Sequence, residues 1–157
     1  MTDRSKAPRS VLVSEPFYGA SFAIAVRRFW EKYATFSGRA SRSEYWWWAL
    51  VSGTVGVILV SIYIPSLLAA RTGGEGLRIN AGIAFVLVTG LLWLVATIVP
   101  TLALFWRRLH DANLSGLYSL AMLVPTVGWL FILVFTLLPS NPAGARFDQP
   151  PAARKAH

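Results

Sequence analysis

The chain has 157 residues, of which 55% are hydrophobic and only 14% are charged. Soluble domains carry about 25% charged residues, so this composition predicts a membrane protein. The chain contains no cysteine, which excludes disulfides, thiol catalysis and thiolate metal sites. The formal net charge is +8, but the basic residues lie beside long apolar segments, so we expect membrane lipids with anionic headgroups, and no nucleic acid, as their partners.

The N-terminal segment is polar and precedes an apolar pattern of helical period. Residues 1–20 lack a long apolar core, which predicts a flexible tail without a cleavable signal peptide. In residues 21–36, apolar side chains recur at intervals of three and four residues with basic residues between them: Phe22, Val26, Phe29, Tyr33 and Phe36. This spacing predicts an amphipathic helix, which either lies in the headgroup plane or packs against the bundle. The basic face favours the interface.

Three apolar segments without internal charges follow. A hydrocarbon core about 30 Å thick needs about 20 apolar residues in a helix, so we predict spans near 45–69, 81–106 and 115–138. In the third segment, Pro125 and Gly128 leave open a single kinked span, which we favour, or a split or re-entrant segment. The predicted fold is an all-α membrane protein with three transmembrane helices preceded by an amphipathic interfacial helix, in a membrane domain over residues 21–138.

The charge distribution predicts the orientation. With three spans, ten lysines and arginines lie on the N-terminal side and five on the other, so the positive-inside rule places the N-terminus in the cytoplasm and the C-terminus outside. Tryptophans at the predicted cytoplasmic span ends agree with this orientation: Trp46, Trp47, Trp48 and Trp106. Residues 139–157 are polar and rich in proline, which predicts a flexible C-terminal tail.

Polar residues concentrate at two predicted cytoplasmic helix ends. Ser41 and Glu44 have the spacing of a capping box directly before the first span. If the spans bundle, Asp111 or Glu44 can form ion pairs with the arginines nearby, namely Arg39, Arg42 or Arg108. The candidate cytoplasmic polar cluster comprises Arg39, Arg42, Glu44, Arg107, Arg108, His110, Asp111 and Ser115. We expect structural ion pairs there, with a ligand or catalytic site as the alternative.

The motifs of several function classes are absent from the sequence. No carboxylate or ammonium lies inside a predicted span, which disfavours an ion-coupled pump. His110, Asp111 and Glu44 are too few for a typical metal site, and we find no phosphate-binding loop or nucleophile elbow. We therefore expect no catalytic residue, no cofactor and no metal.

Several motifs around the predicted spans carry a family resemblance. They comprise Phe36, Gly38, Arg39, Arg42, Glu44, Tyr45 and Trp46, then Arg107, Arg108, Leu109, His110, Asp111, Ser115 and Gly116, then Pro125 and Gly128, and finally Asn141, Pro142, Gly144, Arg146 and Phe147. From about Phe29 to Phe147 the chain resembles the bacterial membrane-protein family called domain of unknown function 805. The resemblance implies a small, multi-pass bacterial inner (cytoplasmic) membrane protein and no agreed activity. The chain departs from the family pattern at Leu117 and Tyr118 and in its longer segment before Phe22.

Three function hypotheses remain from the sequence. We favour a non-enzymatic protein that associates with membrane proteins or anionic lipids through a basic cytoplasmic face. One alternative is an oligomeric small transporter or channel component, in which Pro125 and Gly128 mark an opened helix. The other is a membrane enzyme that uses His110 as a base and Asp111 as its orienting group.

Overall fold

The computed structural model describes residues 16–72, 80–124 and 128–148, and the side chains of these residues except 121–123. This part of the chain is helical throughout and contains no strand. It comprises four α-helices, α1 (Phe22–Glu31), α2 (Arg42–Thr72), α3 (Ala81–Asp111) and α4 (Gly128–Leu137), and two 3-10 helices, η1 (Gly116–Leu123) and η2 (Pro142–Phe147). The predicted tails at residues 1–15 and 149–157 lie outside the described residues.

The chain divides into two compact units. The first, which we call the charged unit, combines Met1–Trp48 with Pro100–His157, and the second, the apolar unit, is Ala49–Val99. Helices α2 and α3 contribute residues to both units.

Helices α2 and α3 are long and apolar enough to cross a membrane. Each has 31 residues, which corresponds to about 46 Å at the α-helical rise and exceeds the hydrocarbon thickness. Only 6% of the most apolar stretch of α2 and 11% of that of α3 are buried within the protein. The core helix of a soluble protein is mostly buried, so these exposed apolar surfaces require lipid. The all-helical class is confirmed for the described residues, with two helices that qualify as spans by length and composition; α2 extends beyond both predicted bounds, and α3 extends beyond its C-terminal bound.

The third apolar segment does not form one continuous helix in the described residues. It consists of η1 and the ten-residue α4, which is about 15 Å long, half the hydrocarbon thickness. Both ends of the segment lie close to the end of α3. At its start, the Leu114 amide donates to the Leu109 carbonyl (2.9 Å), and after its end the Asn141 amide donates to the Asp111 carbonyl (2.8 Å). We call residues 114–148 the returning segment, because both of the described ends of the apolar stretch lie beside the end of α3. This arrangement favours the split or re-entrant alternative over the single span predicted over 115–138, and the number of spans stays a prediction.

The return of the chain also orders residues that we predicted to be flexible. The amide of Ala143 donates to the side chain of Asn141, which caps η2, and Gly144 within η2 is buried. The Gly38 amide donates to the Phe147 carbonyl (2.9 Å). The flexible tail predicted over 139–157 therefore does not include residues 139–148. At the other end, the Ala20 amide donates to Ser43 Oγ (2.9 Å), so the predicted tail over 1–20 does not include the last residues of that range.

Helix α1 is shorter than predicted and turns part of its basic side inward. It ends at Glu31 rather than at residue 36. Ala25 and Phe29 are buried, and Phe29 stacks on Trp48 with ring centroids 3.4 Å apart. Residues three, four and seven positions apart share a helix face, so Arg28 and Lys32 lie on the same side as Ala25. The side chain of Lys32 is only 1% exposed. Lys32 is therefore not available to the headgroups that the predicted basic face was expected to contact, and Arg28 is largely buried; the interfacial location of α1 stays a prediction.

Candidate functional site

The Asp111 carboxylate is the centre of one polar network in the charged unit. Arg108 Nη1 donates to Asp111 Oδ2 at 2.8 Å, and both side chains are completely buried. The hydroxyls of Tyr18 (2.9 Å) and Ser140 donate to the two carboxylate oxygens. The guanidinium of Arg108 also donates to the carbonyls of Thr136 and Leu138. Asp111 therefore holds the N-terminal segment, the end of α3 and the returning segment together, because charge-assisted hydrogen bonds are stronger than neutral ones.

The Glu44 carboxylate is the centre of a second network, at the start of α2. Glu44 Oε1 accepts the Phe17 amide at 2.7 Å and lies 3.1 Å from Arg28 Nε. The Glu44 amide donates to Ser41 Oγ (3.3 Å), which is half of the predicted capping box. The carboxylate is directed to Phe17 and Arg28 instead of completing that box.

Asp148 and Phe147 anchor the end of the returning segment. Arg39 donates to Asp148 through Nε (3.0 Å) and Nη2 (2.6 Å), the fork geometry that arginine and carboxylate groups favour. The ring of His110 stacks on Phe147 with centroids 4.0 Å apart, and the guanidinium of Arg146 lies 4.6 Å from the centroid of Phe147. His110 Nδ1 lies 3.1 Å from the Gly38 carbonyl oxygen.

Two glycines allow the close approaches that this arrangement needs. Gly38 has φ of 80°, a left-handed conformation that favours glycine. A Cβ on Gly144 would lie 2.3 Å from the His110 carbonyl oxygen, so only glycine fits there without a backbone shift.

Four cations of the charged unit have no carboxylate partner among the described residues. Arg28, Arg39 and Arg108 neutralise Glu44, Asp148 and Asp111, and Arg27 pairs with Glu31 on the surface. Lys32 Nζ and both terminal nitrogens of Arg107 are buried without a hydrogen-bond partner in the described chain, although Arg107 Nε donates to the Ala103 carbonyl. Arg42 and Arg146 are exposed. The described part of the charged unit thus carries a surplus of positive charge that the carboxylates within that part do not neutralise.

This environment shifts the pKa values of groups outside the spanning helices. Burial lowers the pKa of Lys32 to about 7, and the positive charges of Arg107 and Arg28 act in the same direction, while Glu44 opposes them. Burial and the hydrogen bond to Asp111 raise the pKa of Tyr18. The hydrogen bonds with Asp148 raise the pKa of Arg39, which therefore stays charged.

The predicted polar cluster separates into several parts. Arg108 and Asp111 form the ion pair that we expected, whereas Glu44 pairs with Arg28 and Arg39 with Asp148. The remaining members lie outside these pairs: Arg107 is buried without a carboxylate, Arg42 is exposed, His110 stacks on Phe147, and Ser115 accepts the Leu117 amide.

Sequence reasoning missed the partners from the two segments that we predicted to be flexible and from α1. These partners are Phe17, Tyr18, Arg28, Ser140, Phe147 and Asp148, and the burial of Lys32 was missed as well. The sequence carried a signal for two of them, because Arg28 and Lys32 are spaced four residues apart on the face of Ala25 and Phe29.

The arrangement of His110 and Asp111 does not suit a base and its orienting group. That role needs a hydrogen bond between the two side chains. In the described chain, His110 Nδ1 is hydrogen-bonded with the Gly38 carbonyl, and the Asp111 carboxylate accepts from Arg108, Tyr18 and Ser140. The described residues also contain no group of three or more metal-ligating side chains that could hold a metal ion.

Comparison with known proteins assigns the family. Residues 33–149 match the family described as Protein of unknown function (DUF805). The chain belongs to this family. This DUF805 protein is 36% identical over 121 residues to the inner membrane protein YhaI of Escherichia coli (strain K12), with 77% of this chain and 89% of YhaI covered. It is 33% identical over 121 residues to the inner membrane protein YhaH of the same strain, with 77% of this chain and 90% of YhaH covered. No solved structure matches.

The DUF805 assignment and the two exposed apolar helices both indicate a membrane protein. The chain is an integral inner-membrane protein of a family without an assigned activity.

Proposed function

We propose that this DUF805 protein associates with anionic lipid through its charged unit and acts without enzymatic chemistry. The observation that carries this proposal is the surplus of cations. Arg42 and Arg146 are exposed and have no carboxylate partner among the described residues, while the described carboxylates of the unit are held by other arginines. Lys32 and Arg107 also lack such a partner but are only 1% exposed, so the argument rests on the two exposed arginines. Anionic headgroups supply the missing charge at the membrane surface, where each nearby lysine or arginine contributes about 1 kcal/mol of attraction.

Exposed aromatic side chains accompany these cations. Phe22, Trp30 and Tyr33 are exposed on and directly after α1, and Trp46 and Trp47 are exposed in the first turns of α2. Tryptophan and tyrosine rings concentrate at the headgroup level, where one part of the ring is in apolar surroundings and the polar group is hydrated. The aromatic rings therefore support an interfacial position for α1 and the start of α2.

The returning third segment supports a revised orientation. When both ends of this segment lie on the side of Asp111, all 15 lysines and arginines except Arg71 and Arg78 lie on the N-terminal side of the two spans. The positive-inside rule then places both the N-terminus and the C-terminus in the cytoplasm. The earlier expectation of an outer C-terminus depended on a third span.

Lipid selectivity tests the proposed association. The full chain is reconstituted with spin-labelled phosphatidylglycerol or phosphatidylcholine, and the fraction of motionally restricted label is measured at low and high salt. We expect preferential restriction of phosphatidylglycerol that weakens with salt, because exposed charges are screened. Equal restriction of the two lipids at low salt would contradict the proposal.

Accessibility of engineered cysteines tests the orientation. The chain has no cysteine, so single variants at Ser5, Gly74 and Ala152 can be labelled without background. We expect membrane-impermeant reagents added from outside to label only the variant at Gly74. Labelling of the variant at Ala152 from outside would restore the three-span topology.

A further inference from the structure

A cleft beside the start of α2 combines one exposed cation with several hydroxyl groups. Its volume is about 480 Å³, and the side chains that matter are those of Tyr18, Ser41, Arg42, Ser43 and Ser140. The guanidinium of Arg42 is exposed and has no hydrogen bond or ion pair within the described chain. Because Arg42 forms no side-chain hydrogen bond or ion pair with another described residue, its guanidinium is available to a ligand.

The four hydroxyl hydrogens in the cleft are directed into the protein. Tyr18 and Ser140 donate to Asp111, and Ser41 donates to the Phe17 carbonyl (2.8 Å). Ser41 Oγ and Ser43 Oγ are 3.0 Å apart, and Ser43 is the donor of that pair because the Ser41 hydrogen is already engaged.

The hydroxyl oxygens therefore act towards the cleft as hydrogen-bond acceptors. Ser41 Oγ already accepts the Glu44 amide and the hydrogen of Ser43, which fills its two lone pairs. Ser43 accepts the Ala20 amide and retains one lone pair, and Tyr18 and Ser140 retain theirs. The cleft thus presents one strong donor, Arg42, and at least three acceptors.

This combination selects a ligand with one anionic oxygen group and hydroxyl donors next to it. A phosphodiester satisfies the guanidinium fork of Arg42, and hydroxyls on the attached group donate to Tyr18, Ser43 and Ser140. Asp111 does not repel such an anion strongly, because its charge is neutralised by Arg108 at 2.8 Å. Resting on the proposed function, we propose that this cleft binds the headgroup of a phospholipid that carries a polyol, such as a glycerol phosphodiester.

The location of the cleft beside the start of α2 favours a membrane lipid as the source of this phosphodiester. Trp46 and Trp47 follow Arg42 by about one helical turn and are exposed, which marks this part of α2 as the headgroup level. A headgroup bound at Arg42 can therefore leave its acyl chains beside the spanning part of α2.

Native mass spectrometry of the full chain tests the site. Phosphatidylglycerol, phosphatidic acid and phosphatidylethanolamine are titrated separately onto the native chain, Arg42→Gln and the matched control Arg27→Gln, whose arginine is exposed but paired with Glu31. We expect one phosphatidylglycerol to bind the native chain most tightly. Arg42→Gln should weaken it by at least about tenfold and Arg27→Gln by less than about threefold, because only Arg42→Gln removes a charge-assisted hydrogen bond to the lipid.

Three outcomes would overturn the inference. If Arg42→Gln and Arg27→Gln bind phosphatidylglycerol equally while both still prefer anionic lipids, the cleft is not the site and the proposed function survives. If phosphatidic acid binds as tightly as phosphatidylglycerol, the polyol is not recognised. If water-soluble glycerol phosphate displaces the lipid at equal concentration, the source is a free phosphate ester. Absence of any anionic preference in the native chain would instead overturn the proposed function.

Discussion

The charged unit buries several ionisable side chains, whereas the described part of the apolar unit exposes most of its large hydrophobic side chains. Arg107, Arg108 and Asp111 are at most 1% exposed, while Leu91 and Val57 are 61% and 70% exposed. Lipid tails cover apolar surface at no cost, but no solvent inside the protein replaces water around a charge. The stability of the charged unit therefore depends on specific hydrogen-bond and ion-pair partners, and that of the apolar unit depends on the lipid around it.

Asp111→Asn should produce the largest loss of stability. The change leaves Arg108 buried without an anion, which costs about 3–5 kcal/mol. Unfolding by titration with sodium dodecyl sulfate in mixed micelles measures the effect. Thr89→Val in the apolar unit removes a hydroxyl that bonds only to the Phe85 and Val86 carbonyls of its own helix, and it should change stability by less than about 1 kcal/mol. Similar effects of the two variants would remove the contrast between the units.

Two leucine truncations compare the units with the same chemistry. Leu109→Ala removes a side chain with no exposure in the charged unit and should cost about 2–5 kcal/mol, because a cavity remains. Leu91→Ala lies on exposed surface of the apolar unit and should cost less than about 0.5 kcal/mol, because lipid fills the space. The same titration measures both. A large loss for Leu91→Ala would indicate that another protein surface covers it.

Lys32→Met should stabilise the protein in a manner that depends on pH. The pKa of Lys32 is lowered from 10.5 to about 7 by burial, so between these values the unfolded chain binds a proton that the folded chain does not. The free energy of unfolding therefore rises with pH between about pH 7 and pH 10.5. Below about pH 7 it is lowered by the full cost of burying the charged Lys32 side chain. The variant should gain about 1–4 kcal/mol at pH 6 and little near pH 10.

The control for Lys32 is Arg27→Met, since Arg27 has an exposed side chain on the same helix. It should change stability by no more than about 0.5 kcal/mol at either pH. A gain for Lys32→Met that is equal at pH 6 and pH 10 would mean that shape rather than charge is responsible.

Gly144→Ala should destabilise the returning segment by about 1–3 kcal/mol. The new Cβ would meet the His110 carbonyl oxygen at 2.3 Å, so the backbone must move. Gly53→Ala adds a Cβ with no atom within 4 Å in the apolar unit and should stabilise α2 by about 0.5–1 kcal/mol. Thermal unfolding compares the two. Destabilisation by Gly53→Ala would show that this helix face packs closely against another helix.

The sequence predicted the apolar unit better than the charged unit. Length and hydropathy identify α2 and α3, because a lipid-exposed helix needs only apolar side chains and internal hydrogen bonds. The third segment is also apolar, and its length alone does not distinguish a helix that crosses the membrane from a segment that returns to the end of α3. The return depends on contacts of Asn141 and Ser140 with Asp111, which are far apart in sequence. For the same reason the ion pair within one turn, Arg108 with Asp111, was predictable, whereas Arg39 with Asp148 was not.

The hydrogen bond between the Gly38 amide and the Phe147 carbonyl has a consequence for the order of assembly during synthesis. The charged unit combines Met1–Trp48 with Pro100–His157, so the long helices α2 and α3 must both be made before it can close. Arg39 is synthesised early, but its carboxylate partner Asp148 is added only after α4. A nascent chain that stops before Phe147 therefore leaves Arg39 without this partner and the ring of His110 without Phe147. The charged unit can therefore be completed only after both long helices have been synthesised.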